Sequence, residues 1–309
     1  MPLLWGAFSL GLATWLAYRG HLRGSLSFSG ACAATFVGTV CMASGKLYGL
    51  ILLLFYFAGS AATRHKAAAK AQFDGDLHKA ARSAAQVLGT AGVGVCLLLA
   101  RRLSGSAPCE LRDSSLHAYL GSFACVLGDT LASELGVLSR APPRLLTTCA
   151  RVPRGTNGGC SPEGLAYSAA GGLLVGAAAA AYLGALGGSA ACGSAAAAPP
   201  AHLLRLAAAG AAAGLAGSLL DSLLGATLQA SYYRDGRALL QAPEGEAPVP
   251  PPAGLPFEQW PRAGAAAGSL QVYWVSGLNV LSNEGVNFCS SAGAGALMAW
   301  LMAQGLEVE

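Results

Sequence analysis

A chain of 309 residues is long enough for about two soluble domains, but 54% of its residues are hydrophobic and only 11% are charged. A soluble domain carries about 25% charged residues, so polar surface is too scarce to coat a water-soluble globule of this size, and a mean hydropathy of +0.50 agrees. The net charge of +4 is too small for the electrostatic footprint of a nucleic-acid binder. The class that remains is all-α: a polytopic integral membrane helical bundle, one multi-pass domain over residues 1–309, whose first partner is the lipid bilayer.

A helix that crosses a bilayer needs about 20 mostly apolar residues. Eight segments approach or meet that length, at 3–18, 26–43, 46–62, 84–100, 115–138, 164–187, 203–229 and 286–304. No basic region precedes the first, so 3–18 reads as a first span or signal-anchor. Gly171, Gly172 and Gly176 in the sixth segment, and Gly210, Gly214 and Gly217 in the seventh, predict close helix packing, because small residues let backbones approach in lipid. Two long connections interrupt the spans. Residues 63–83 form a basic cytoplasmic loop, and 239–258 form a Pro-rich, acidic flexible loop, disordered or extended in character. The nine cysteines contain no C-x-x-C pair, and the five histidines form no ligand pattern. A disulfide framework and a zinc site are therefore not expected.

Eight crossings place successive connections on alternating sides. The connections after the first, third, fifth and seventh spans carry fourteen Lys and Arg; the opposite side carries five. Positive charge favours the cytoplasmic side, so 63–83, 139–163 and 230–285 are expected to face the cytoplasm or stroma.

Charges within a span are costly and suggest function. Asp129 and Glu134 lie in the fifth segment, in Gly128-Asp129-Thr130-Leu131-Ala132-Ser133-Glu134, and Asp221 lies in the seventh, before Ser222. At helical spacing Asp129 shares a face with Ser133, and Thr130 shares an adjacent one with Glu134, so oxygen ligands could gather there; hydrogen bonding to neighbouring helices is the other reading. Between spans five and six runs Arg154-Gly155-Thr156-Asn157-Gly158-Gly159. Backbone N–H groups of a Gly-rich loop can cradle an anion, and Arg154 can add a bidentate fork; a flexible turn is the alternative. No G-x-x-x-x-G-K-[S/T] loop occurs. Asn283 and Asn287, four residues apart, share a face at the entrance to the last span. All four polar segments are expected on the basic side of the membrane.

The strings G-D-T-L-A-S-E-L-G, P-R-L-L-T-T, V-P-R-G-T-N-G-G and G-G-L-L-V-G over 128–176, G-S-L-L-D-S-L-L-G-A-T-L-Q over 217–229 and S-N-E-G-V-N over 282–287 resemble the transmembrane protein 19 family. The plant relative in that family is phytyl-phosphate kinase. The resemblance is looser over 24–90, where Ser83 and Thr90 stand at positions the family usually fills with Asn; beyond that stretch, Leu131 stands where an aromatic often follows Asp-Thr.

The resemblance implies a CTP-dependent isoprenoid phosphate kinase, acting on a phytyl or polyprenyl phosphate at the cytoplasmic or stromal face of an ER-like endomembrane or the plastid envelope. CTP or another nucleotide would be cosubstrate. Asp129, Glu134 and Asp221 would hold Mg²⁺, the 154–159 loop would bind phosphate oxygens, and Asn283 and Asn287 would orient the lipid headgroup. Two other classes stay open: a transporter that uses intramembrane carboxylates, and a non-enzymatic membrane protein.

Overall fold

The computed structural model describes residues 2–67, 81–104, 113–185, 199–234, 237–239, 246–252, 255–260 and 271–304. Most of the basic connection 63–83 and parts of the Pro-rich stretch 239–258 lie outside them. Eight helices follow one another among the described residues: α1 Pro2–Leu22, α2 Phe28–Ser44, α3 Lys46–Arg64, α4 Ala84–Leu103, α5 Ser114–Gly136, α6 Pro162–Ala185, α7 Pro200–Leu228 and α8 Asn283–Ala303. They coincide with the eight expected segments to within a few residues. Five of them, α3, α4, α6, α7 and α8, are long and apolar enough to cross a membrane; α2, at 17 residues, is a shorter apolar helix.

The helix starts are set by local chemistry. Ser27, Ser83, Asp113 and Ser282 each accept a backbone N–H of the following first turn, which satisfies donors that a helix leaves unpaired. At Ser83 the arrangement is reciprocal, since Gln86 also accepts the Ser83 backbone N–H. Ser83, which departs from the family's usual Asn, therefore works as a helix cap. Pro200 opens α7, where its missing N–H costs nothing.

Helix α5 is the axis of the bundle. It packs against α3, α4, α6, α7 and α8, and Tyr119–Gly128 is an unbroken buried run. A helix buried on all sides need not be apolar enough to face lipid, so α5 can carry Asp129 and Glu134. At the end opposite these carboxylates, Tyr119 donates to the Tyr48 carbonyl at 2.8 Å and stacks edge-on against the Tyr48 ring.

Alternating direction is visible in which residues meet. Tyr48, Phe55 and Thr63 of α3 meet Tyr119, Phe123 and Glu134 of α5 in that order, so these two helices run parallel. Gly171 and Gly164 of α6 meet Gly128 and Gly136 of α5 in reverse order, so those two run antiparallel. A Cβ on Gly214 would lie 2.7 Å from the Gly172 Cα, and one on Gly128 would lie 2.6 Å from the Ser168 carbonyl oxygen. The glycine spacing thus does what the sequence predicted: α5, α6 and α7 touch backbone to backbone.

The connections are more structured than the sequence suggested. After α5 the chain forms a hairpin, β1 Arg144–Leu145 against β2 Gly159–Cys160. After α7 comes an antiparallel sheet of order β4-β3-β5, with β3 Ser231–Arg234, β4 Arg237–Leu239 and β5 Tyr273–Ser276. In the Pro-rich stretch Val249 is extended and bridges to Tyr273, and Trp260 packs between Tyr233 and Tyr273 with ring centroids 5.3 and 5.4 Å away.

Because α6 and α7 meet through backbone, a side chain between them must push them apart. Gly172→Val is expected to destabilise the protein by about 1–3 kcal/mol, the usual cost of overpacking. Thermal unfolding in detergent should show a lowered Tm, and an unchanged Tm would show that the contact does not bear the packing.

Candidate active site at one end of the bundle

The carboxylates come from neighbouring helices and are each held by a serine from another. Ser218 of α7 donates to Asp129 Oδ1 of α5 at 3.1 Å. Ser290 of α8 donates to Asp221 Oδ2 of α7 at 2.9 Å. Both serines are buried. The chain of bonds runs α5, α7, α8 and fixes two acidic side chains within electrostatic reach of each other. The second oxygen of each carries no hydrogen bond from the described residues.

Glu134 is arranged differently. It is buried, and Thr63 of α3 donates to its Oε1 at 2.8 Å. Among the described residues no group of three or more His, Cys, Asp or Glu side chains gathers as a metal site. Glu134 ties α5 to α3 through this bond and lines the same cavity as Asp129 and Asp221, so each of the three carboxylates is hydrogen-bonded to a neighbouring helix.

The Gly-rich loop folds back onto the end of α7. Gly158 has φ +77°, a left-handed conformation that costs a residue with a Cβ about 1–2 kcal/mol. A Cβ there would also run into Ser222 and Ala226 of α7. The loop is pinned elsewhere too. The Asn157 backbone N–H donates to Ser231 Oγ at 3.0 Å and its Nδ2 to the Ala230 carbonyl at 3.1 Å. The buried Thr156 hydroxyl donates to the Pro153 carbonyl at 2.7 Å. Arg154 donates from one guanidinium nitrogen to the Val137 carbonyl at 2.8 Å, closing the end of α5. Gly155, at φ +84°, is exposed.

A cavity of about 250 Å³ lies between these elements. Asp129, Glu134, Asp221, Arg154 and Asn283 line it together with the whole 155–159 run. Ser133, Ser161, Ser168, Ser218 and Ser222 add hydroxyls, and Cys160 adds a thiol. Burial pushes that thiol up from its ordinary value, which works against the thiolate form. Asn287 is half-buried and is not among the lining residues; its carbonyl accepts from Ser290 at 3.2 Å. Every other site residue expected from the sequence meets at this cavity. Ser290 was missed. A small hydroxyl residue one turn beyond Asn287 gives only a weak signal until its partner on α7 is known.

The donor set suits a hard cation. Mg²⁺ is commonly held by one or two carboxylates and completes its shell with water and substrate phosphates. Two carboxylates with free oxygens, beside a loop with exposed backbone, fit that pattern without a third acid.

A multi-pass helical bundle with a polar cavity at one end is an integral membrane protein with a surface-opening site. Residues 11–295 match the family described as integral membrane protein DUF92, and the chain belongs to that family. It is 33% identical to "Protein PGR" of Arabidopsis thaliana over 92% of this chain and 91% of that one. It is 35% identical to "Protein VTE6, chloroplastic" of the same plant over 45% of this chain and 42% of that one. An uncharacterised membrane protein of Methanocaldococcus jannaschii, MJ0933, is 30% identical over 37% of this chain and 41% of its own. No solved structure matches.

Gly158→Ala is expected to disturb folding as well as the cavity, because the added methyl meets the α7 backbone. The strain and overpacking together should cost about 2–5 kcal/mol and lower the Tm. A variant with wild-type Tm would return the loop to the role of a freely adapting phosphate cradle.

Proposed function

We propose that the protein is a phosphotransferase of the isoprenoid phosphate kinase type. It works at the cytoplasmic face of an ER-like membrane or the stromal face of a plastid envelope membrane. The single observation that carries this reading is the meeting of two serine-held carboxylates, the Arg154–Gly159 loop and Asn283 at one cavity. The resemblance to the transmembrane protein 19 family, with its phytyl-phosphate kinase, supplies the reaction class.

Phosphoryl transfer is mostly positioning and neutralisation of charge. An oxygen of the prenyl monophosphate would form a bond to the γ-phosphorus of CTP or another nucleoside triphosphate. The bond from that phosphorus to the β–γ bridging oxygen would break, and the nucleoside diphosphate would leave with the electron pair. The acceptor is already anionic, so no hydroxyl has to be deprotonated. Bound Mg²⁺ would neutralise phosphate charge; Asp129 and Asp221 would hold it, and Ser218 and Ser290 would fix the orientation of those carboxylates. Backbone N–H groups around Gly155 would bind phosphate oxygens, and the Arg154 guanidinium, which lines the cavity, would add positive charge. Asn283, at the start of α8, would contact the lipid headgroup with the prenyl chain left in the bilayer.

Depth along the helix favours this reading over transport. Asp129 and Asp221 each lie seven residues before the end of their helix, or about 10 Å at 1.5 Å per residue. A transporter site lies nearer the midplane, about 15 Å deep in a 30 Å hydrocarbon core.

Purified protein in detergent, given radiolabelled CTP or ATP and a panel of prenyl monophosphates, should form a labelled prenyl diphosphate in the presence of Mg²⁺. Asp129→Asn should lower the rate by about 10²–10³-fold, the usual effect of removing one electrostatic stabiliser, while Tm and expression hold. No transfer from any nucleotide to any prenyl phosphate would refute the kinase reading. Loss of expression in Asp129→Asn would favour a structural role for the acid.

A further inference from the structure

Between Val137 and Pro162 the chain carries four arginines, at 140, 144, 151 and 154, and no acidic residue. A basic excess on one side marks only orientation. The hairpin adds something more definite. Its strands alternate: Leu145 and Val152 point inward and are buried with Ala226 of α7, while Arg144 and Arg151 point outward and are exposed. Arg144 and Arg151 are bridge partners, directly opposite each other. Like charges so placed repel. Among the described residues neither Arg140, Arg144 nor Arg151 takes part in an ion pair. Glu163, just beyond the hairpin, is engaged with Ser139.

The hairpin is also held at a fixed depth. Arg144 is paired with Cys160, and the Leu146 N–H donates to the Gly158 carbonyl at 3.0 Å. Gly158 in turn abuts Ser222 and Ala226, within the last two turns of α7. Arg144 and its partner Arg151 are thereby tied through the hairpin to the last two turns of α7, one of the helices long and apolar enough to cross a membrane. Rigid presentation means that little side-chain and loop ordering remains to oppose binding.

We propose that Arg140, Arg144 and Arg151 form a docking surface for the phosphate headgroups of anionic membrane phospholipids, beside the mouth of the cavity. This surface does not depend on the phosphotransferase reading, because none of the three arginines lines the cavity. An anionic lipid would supply the counter-charge that no described acidic residue gives the Arg144–Arg151 pair.

The test is native mass spectrometry of the full chain released from mixed micelles of phosphatidylglycerol and phosphatidylcholine. Wild type should retain phosphatidylglycerol in preference, and the preference should fall with salt. R140Q/R151Q should lose about fivefold in preference per arginine, from roughly 1 kcal/mol per basic residue at a membrane surface, with Tm unchanged. Arg144 is left in place there because it donates to the Cys149 carbonyl at 2.7 Å. R140K/R144K/R151K keeps the charge and should keep the preference. Equal phosphatidylglycerol retention by wild type and R140Q/R151Q would overturn the proposal. So would binding of inorganic pyrophosphate, lost in R140Q/R151Q, without any lipid preference, since the surface would then serve soluble phosphates.

Discussion

Backbone contact between α5, α6 and α7 is the constraint on which the rest of the structure depends. In lipid no hydrophobic force drives helices together, and close van der Waals packing takes its place. Gly128, Gly171, Gly172 and Gly214 remove the side chains that would hold these helices apart. The approach that results is what lets a hydroxyl as short as that of Ser218 reach Asp129 from the neighbouring helix. Were the helices a normal side-chain distance apart, the carboxylate would face a gap, and an unpaired charge there is expensive. Packing and site chemistry therefore rest on the same residues.

Much of this was legible in the sequence because the governing signals are local. Apolar run length fixed the helices, and glycine spacing on two helices announced their contact. The pairing of Asp129 and Asp221 at one end followed from counting crossings. Three things were not legible, for a common physical reason. The bond from Thr63 to Glu134 links residues 71 apart, and nothing in either neighbourhood names the other. The sheet of β3, β4 and β5 is built from short strands whose pairing spans an excursion of about forty residues. Its aromatic cluster of Tyr233, Trp260 and Tyr273 draws one residue from each of three distant stretches. Gly158 carried a signal that was read correctly as conformational and only partly as to purpose: its left-handed backbone serves an approach to α7.

The loop's anchoring changes how it can bind an anion. A loop that closes around phosphate from a disordered state gives up affinity to the entropy of ordering. Here Asn157, Thr156 and Arg154 each spend a donor on the protein's own carbonyls. Those donors are unavailable to a ligand in this arrangement, but the conformational cost has already been met in folding. What the loop offers a ligand is exposed backbone at Gly155 and the charge of Arg154 at the cavity wall. The loop is better understood as a preformed wall than as a flap.

Charge completes the argument. One wall of the cavity is acidic, from Asp129 and Asp221, and the facing loop carries Arg154. A bare anion would be repelled by the first wall and a bare cation by the second. A phosphate chain carrying a divalent cation satisfies both, with metal toward the carboxylates and oxygens toward the loop. A lone metal ion would leave Arg154 without a role in binding, and a lone organic anion would leave two neighbouring carboxylates uncompensated. Under the proposed function, a metal–phosphate complex would suit both walls as a unit, and carboxylates near the helix ends would let it arrive from water while a lipid acceptor stays in the membrane.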